Sequence, residues 1–128
     1  MSVSPRRILV ADDDPTAALL FQAALRSPEF VVALVDNGTD ALAAFERQLF
    51  DCAVLDVEMP GLDGLEVCAA IRQHCGAAFP VLLVTGRDDA EFRVRAQTLS
   101  ARTISKPLDW SALPGILRSV LAVPPVAD

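Results

Sequence analysis

The chain has 128 residues, 52% of them hydrophobic, with mean hydropathy +0.39, net charge −6 and a pI near 4.6. One domain of ~100–200 residues accounts for that length, and the apolar content can fill a core, which argues against disorder. The acidic balance excludes nucleic acid as a direct partner, because backbone phosphates need a basic footprint.

The chain opens with "MSVSPRR" and a short apolar stretch, and no apolar run approaches the ~18 residues of a spanning helix. Neither a membrane partner nor a signal peptide is expected, and the cytoplasm is the expected compartment. Short aliphatic runs then alternate with helical patterns: "RILVA" with "TAALLFQAALRS", "FVVALV" with "TDALAAFERQL", and "CAVLD" with "LEVCAAIRQH". "PVLLVT" with "DAEFRVRAQTL" and "RTIS" with "SALPGILRSVL" complete five βα units. Val-, Leu- and Ile-rich runs without period-2 alternation suit parallel strands buried on both faces, with helices as crossovers. The expected fold is a doubly wound α/β sheet. A single domain is expected over 1–128, with its core at about 6–122 and 123–128 as a tail or the start of a linker.

Cys52, Cys68 and Cys75 lack metal-type spacing. If Cys68 and Cys75 share a helix they lie ~10 Å apart along its axis, too far for a disulfide, so all three read as small core residues. His74 reads as a surface residue at a helix end, and Trp110 as a packing residue.

In a doubly wound sheet, ligands gather beyond the carboxyl ends of the strands, where the strand order reverses. Asp12 and Asp13 follow the first run, Asp56 closes the third, Thr85 closes the fourth and Lys106 follows the fifth. Asp14 stands apart, because aspartate at the N-cap followed by Pro15 at the first helical position is a helix start. Asp12, Asp13 and Asp56 would repel one another and raise at least one pKa unless a cation sat between them. A hard divalent ion with oxygen ligands fits, and Mg²⁺ is favoured because it uses few carboxylates and keeps waters for a phosphate ligand.

"ILVADDDP", "AVLDVEMPGLDGLEV", "PVLLVTG" and "ISKP" together resemble the receiver domain of two-component response regulators across nearly the whole chain. The resemblance implies a flavodoxin-like (βα)5 fold with strand order 2-1-3-4-5. It makes Asp56 the phospho-acceptor from a sensor histidine kinase, a phosphotransfer protein or a small donor such as acetyl phosphate. Asp13 would ligate Mg²⁺ directly, Asp12 would act alongside through water, and the Glu58 backbone carbonyl would add a ligand. Thr85, aided by the Gly86 amide, would hydrogen-bond the phosphoryl oxygens and Lys106 would pair with their charge, with a cis peptide before Pro107. The domain would promote only its own phosphorylation and dephosphorylation, so no conventional enzyme is expected.

Departures from the family pattern cluster near the end of the chain. Thr103 stands where an aromatic is common, and Leu99 and Ser100 replace a usual Gly-Ala pair. Pro114 and Gly115 require the last helix to begin near Ser111 or to kink. These oddities fall on the surface the family uses for dimers and effectors, so a homodimer through the last two helix–strand units is expected to be atypical. Glu58 and Arg87 are positioned to bridge across the mouth of the site. "KPLDW" is similar to a "KPxxW" pattern found before cyclic-dinucleotide modules, so the chain reads equally as a stand-alone regulator or a piece of a larger protein.

Two rival readings follow. "LVADDDPT" fits the Asp-x-Asp-x-Thr signature of haloacid-dehalogenase-type phosphatases with Asp12 as nucleophile and Asp14 as acid/base. That assignment fails on order, because Asp88 and Asp89 precede Lys106, and it leaves Asp56 unused. A non-phosphorylated scaffold is the other rival, weakened because no member of the acceptor site is missing.

Overall fold

The computed structural model describes residues 4–122, so the expected tail at 123–128 lies outside the described residues. Strands β1 (Arg6–Ala11), β2 (Phe30–Val35), β3 (Cys52–Asp56), β4 (Val81–Thr85) and β5 (Arg102–Ser105) alternate with helices α1 (Pro15–Ala24), α2 (Gly38–Arg47), α3 (Gly64–Cys75), α4 (Ala90–Thr98) and α5 (Leu113–Ala122). The strands form one parallel sheet in the order β2-β1-β3-β4-β5, as the family resemblance implies. Among the described residues no helix is long and apolar enough to cross a membrane.

Pleating sends alternate residues to opposite faces. Leu9, Ala53, Leu55 and Leu83 join a core with residues of α2, α3 and α4 on one side. On the other side Ile8, Val10, Val54, Leu82 and Val84 pack with Phe21 of α1 and Leu117 of α5. That double burial explains the continuous apolar runs of β1, β3 and β4. It does not extend to β5, where Arg102, Thr103 and Ser105 are exposed. β5 is an edge strand, and a charged residue there discourages further pairing.

Helix starts follow local chemistry. Asp14 accepts from the Thr16 amide at 3.0 Å with Pro15 at the first helical position, as expected. Asn37 caps α2, Asp89 caps α4, and Asp63 with Glu66 forms a reciprocal capping box on α3. α5 begins at Leu113, after a turn in which Asp109 accepts from the Ser111 amide and hydroxyl. Pro114 therefore lies in the first turn, where no kink is needed. Gly64 is required by close approach, since a Cβ there would lie 2.6 Å from the Asp56 carbonyl oxygen. Cys52 and Cys68 are core residues as expected, whereas Cys75 is exposed because, although it shares the helix face of Cys68 and Ile71, it lies at the end of α3, where residues 73–78 are all exposed; all three are free thiols. Burial pushes the Cys52 thiol up to about 12, which makes it unreactive.

The replaced Gly-Ala pair has a defined geometry. The Ser100 amide donates to the Gln97 carbonyl and the Ala101 amide to the Ala96 carbonyl, both at 3.0 Å, with Ser100 at φ +55°. This is a Schellman ending with serine where glycine is preferred. Arg72 braces it: Nε donates to the Leu99 carbonyl at 2.6 Å and one terminal nitrogen to Ser100 at 3.1 Å. The other terminal nitrogen serves the Gly76 and Phe79 carbonyls at 2.9 and 2.6 Å, tying the end of α3 to the α4–β5 turn. Left-handed backbone costs a non-glycine residue about 1–2 kcal/mol, so Ser100→Gly is expected to stabilise the fold by about 0.5–1 kcal/mol after the added chain entropy of glycine. A urea midpoint that falls would contradict this account of the turn.

Candidate functional site

The register of the sheet assembles the site. Ala11 pairs with Leu55, so Asp12 and Asp56 emerge side by side; Asp56 pairs with Val84, and Thr85 pairs with Ser105 just before Lys106. The two carboxylates stand at the reversal of strand order between β1 and β3. Lys106 Nζ donates to Asp56 Oδ1 at 3.0 Å, and the Glu58 amide donates to the same oxygen at 3.2 Å. The Lys106–Pro107 peptide is cis, as the resemblance implies. Asp12 and Asp56 are buried and Asp13 is exposed, with carboxylate oxygens of all three within 4.8 Å of one another. Two Mg–O bonds span about 4 Å, so one small oxygen-seeking cation can bridge this trio with minor side-chain adjustment.

Electrostatics agree with that donor set. Burial, more than repulsion from Asp56 and Asp13, raises Asp12 to about 6, against a lowering by the Asp14 amide, which donates to it at 2.9 Å. The expectation of a raised carboxylate holds, but desolvation leads rather than like charge. Burial also raises Asp56, opposed by the Lys106 hydrogen bond and charge. Burial works against the Lys106 ammonium, yet Asp56, Glu58 and Asp12 outweigh it and hold its pKa above the ordinary 10.5. A 520 Å³ cavity opens over these groups, walled by Leu20, Leu108 and Trp110. Trp110 also packs edge-on against Phe21 at 4.8 Å, which bears out its packing role.

A family model described as the response regulator receiver domain matches residues 8–118. The chain belongs to the response regulator receiver domain family. It is 34% identical over 116 residues to the transcriptional activator protein IrlR of Burkholderia pseudomallei, covering 90% of this chain and 50% of that protein. It is 32% identical over 117 residues to the transcriptional regulatory protein PcoR of Escherichia coli, covering 91% and 51%. The chain thus spans about half the length of these two relatives. The receiver domain of a Pseudomonas aeruginosa sensor histidine kinase, solved with a magnesium ion coordinated in its active-site cleft, superimposes with TM-score 0.81 at 27% identity, covering 93% of this chain and 99% of that one. Family membership removes the phosphatase reading with Asp12 as nucleophile; the Asp14 carboxylate it needs as acid/base caps α1 instead.

The receiver domain corrects one sequence expectation. Arg87 does not reach across to Glu58; its guanidinium holds Asp89 through two bonds of 3.0 Å and lies 5.3 Å from the centre of the Phe92 ring. Hydrogen bonding to Asp89 outweighs the more distant attraction of Glu58. The signal was present in "RDD", which offers the arginine a carboxylate two residues away at the cap of α4. Glu58 instead accepts the Thr85 hydroxyl at 3.1 Å, a contact the sequence reading missed. His74 is a surface residue as expected, 3.7 Å from Glu46.

The Asp12 shift has a stability consequence. Its folded pKa, about 6, lies above the ordinary 3.8, so between those values the folded state holds the extra proton and stability falls as pH rises. In metal-free protein Asp12→Asn, which keeps the oxygen facing the Asp14 amide, is expected to add about 1–2 kcal/mol near neutral pH. The gain should vanish below about pH 4, where wild-type Asp12 is protonated in both states. Denaturant titrations across pH check this, and a destabilised variant near neutrality would contradict it.

Proposed function

We propose that the chain is the phospho-accepting domain of a two-component response regulator and that Asp56 is its acceptor. The observation that carries this reading is the set of contacts on one buried carboxylate: Asp56 holds Lys106 at 3.0 Å and shares a pocket with Asp12 and Asp13. The donor is the phosphohistidine of a sensor histidine kinase or phosphotransfer protein, or a small acyl phosphate such as acetyl phosphate. An Asp56 oxygen attacks phosphorus, the bond to the donor nitrogen or oxygen breaks, and the electron pair leaves with the donor. Such transfer needs positioning and charge neutralisation more than covalent machinery.

Asp12, Asp13, Asp56 and the Glu58 backbone carbonyl would hold Mg²⁺, which supplies positive charge to the phosphoryl oxygens when bound. Lys106 stays charged at the mouth and pairs with the transferred group, while the Thr85 hydroxyl and Gly86 amide take its remaining oxygens. The domain is consumed and regenerated by its own phosphorylation and hydrolysis, so it acts as a signalling module rather than as an enzyme on an external substrate. This reading places it in the cytoplasm, in keeping with three free cysteines.

Output passes through protein contacts of the α4–β5–α5 face, to a homodimer partner or an attached domain. Named relatives such as IrlR and PcoR are transcriptional regulators, which favours a transcriptional output over the cyclic-dinucleotide module suggested by "KPLDW".

Incubation with acetyl phosphate and Mg²⁺ followed by intact mass measurement tests the proposal. Wild type should gain one phosphoryl group, Asp56→Asn none, and Lys106→Ala should gain it roughly 10²-fold more slowly. An inert wild type would make the domain a scaffold. Multiple turnover of a generic phosphoester that depends on Asp12 would restore the phosphatase.

A further inference from the structure

Glu58 lies in an unusual position for a half-exposed carboxylate. Its Oε2 accepts the Thr85 hydroxyl at 3.1 Å, and its Oε1 lies 3.8 Å from Lys106 Nζ. One side chain thus addresses both groups assigned above to the phosphoryl oxygens, with one oxygen turned toward each. The Thr85 hydroxyl carries a single proton and already accepts from the Arg87 amide at 2.9 Å, so it cannot donate to Glu58 and to a phosphoryl oxygen at once. Among the described residues no further hydrogen bond or ion pair anchors the Glu58 carboxylate, and the nearby Arg87 is committed to Asp89. The side chain is 50% exposed, so it can leave for water without crossing packed structure.

We infer that the Glu58 carboxylate is a built-in stand-in for the phosphoryl group, holding Thr85 and Lys106 in the unphosphorylated state and competing with the incoming group for both. This rests on Asp56 being the acceptor. Two negative groups cannot share the one hydroxyl proton of Thr85, and each weakens the pull of Lys106 on the other, so loading Asp56 requires Glu58 to release Thr85 and swing out. Because Thr85 also holds the Arg87 amide, and the Arg87 side chain holds the cap of α4, the exchange at Thr85 bears directly on the loop that begins α4. Glu58 is a positioning residue in this scheme: it acts on the phosphoryl group only through the donors it occupies.

Beryllofluoride, an inorganic mimic of the acyl phosphate, provides the probe, with the full chain in saturating Mg²⁺ and binding read by fluorine NMR. Glu58→Ala should bind it roughly tenfold more tightly than wild type, which is the effect of about 1.4 kcal/mol of relieved competition. Glu58→Gln, which keeps an oxygen for Thr85 but no charge, should fall between them. The gain from Glu58→Ala should shrink to less than about threefold in a Thr85→Ala background, because the competition runs through that hydroxyl. A change in general charge or in folding would give the same gain in both backgrounds, and that result overturns the inference. Equal or weaker binding by Glu58→Ala overturns it while leaving Asp56 as acceptor. If neither wild type nor Glu58→Ala binds beryllofluoride or takes phosphate from acetyl phosphate, the acceptor reading fails and the inference falls with it.

Discussion

Two carboxylates taken out of water, Asp12 and Asp56, face a single ammonium, Lys106, and the remainder of the molecule is arranged around that imbalance. Burying a carboxylate in a largely apolar surround is costly unless it is paired or hydrogen-bonded. Here β1 and β3 carry the two acids into the interior on strands that are apolar on both faces, and Lys106 reaches back to only one of them. Burial, which Lys106 offsets only in part, keeps both acids above their ordinary pKa in the metal-free protein. A site under that tension would gain from a divalent cation, and a cation there would in turn prepare it for the phosphoryl group proposed for Asp56.

Much of this was legible in the sequence because the determinants are local. Apolar runs ending in Asp56, Thr85 and the Ser105–Lys106 step mark strand ends, and parallel registry lays those ends along one edge. Asp14 could be separated from Asp12 and Asp13 by its proline alone. Partner choice among long side chains was not legible: Glu58 and Arg87 lie at matching offsets from their strands, yet Arg87 found a nearer carboxylate in Asp89 and Glu58 a hydroxyl in Thr85. Arg72 escaped notice for a related reason. Its four acceptors are backbone carbonyls in two loops, which carry no side-chain signature.

The far side of the sheet carries the departures from the family pattern, and the structure gives them a common character. β5 is short and open to solvent, Thr103 is exposed where the family places a mobile aromatic, and the α4–β5 turn is held by Arg72 rather than relaxed by glycine. Besides Lys106 at the end of β5, this face is connected to the site by the loop after β4, where Thr85, Arg87 and Asp89 are linked in succession up to the first turn of α4. A change at the Thr85 hydroxyl has a short hydrogen-bonded route to that helix without any aromatic side chain changing place.

The assignment of the acceptor carboxylate is the step on which everything else rests, and borohydride trapping addresses it directly. Borohydride reduces an acyl phosphate to the primary alcohol, so a phosphorylated aspartate becomes homoserine and can be located by peptide mass sequencing. After treatment with acetyl phosphate and Mg²⁺, homoserine should appear at position 56 and nowhere else. Homoserine at position 12 or 13, or at no position, would contradict the account.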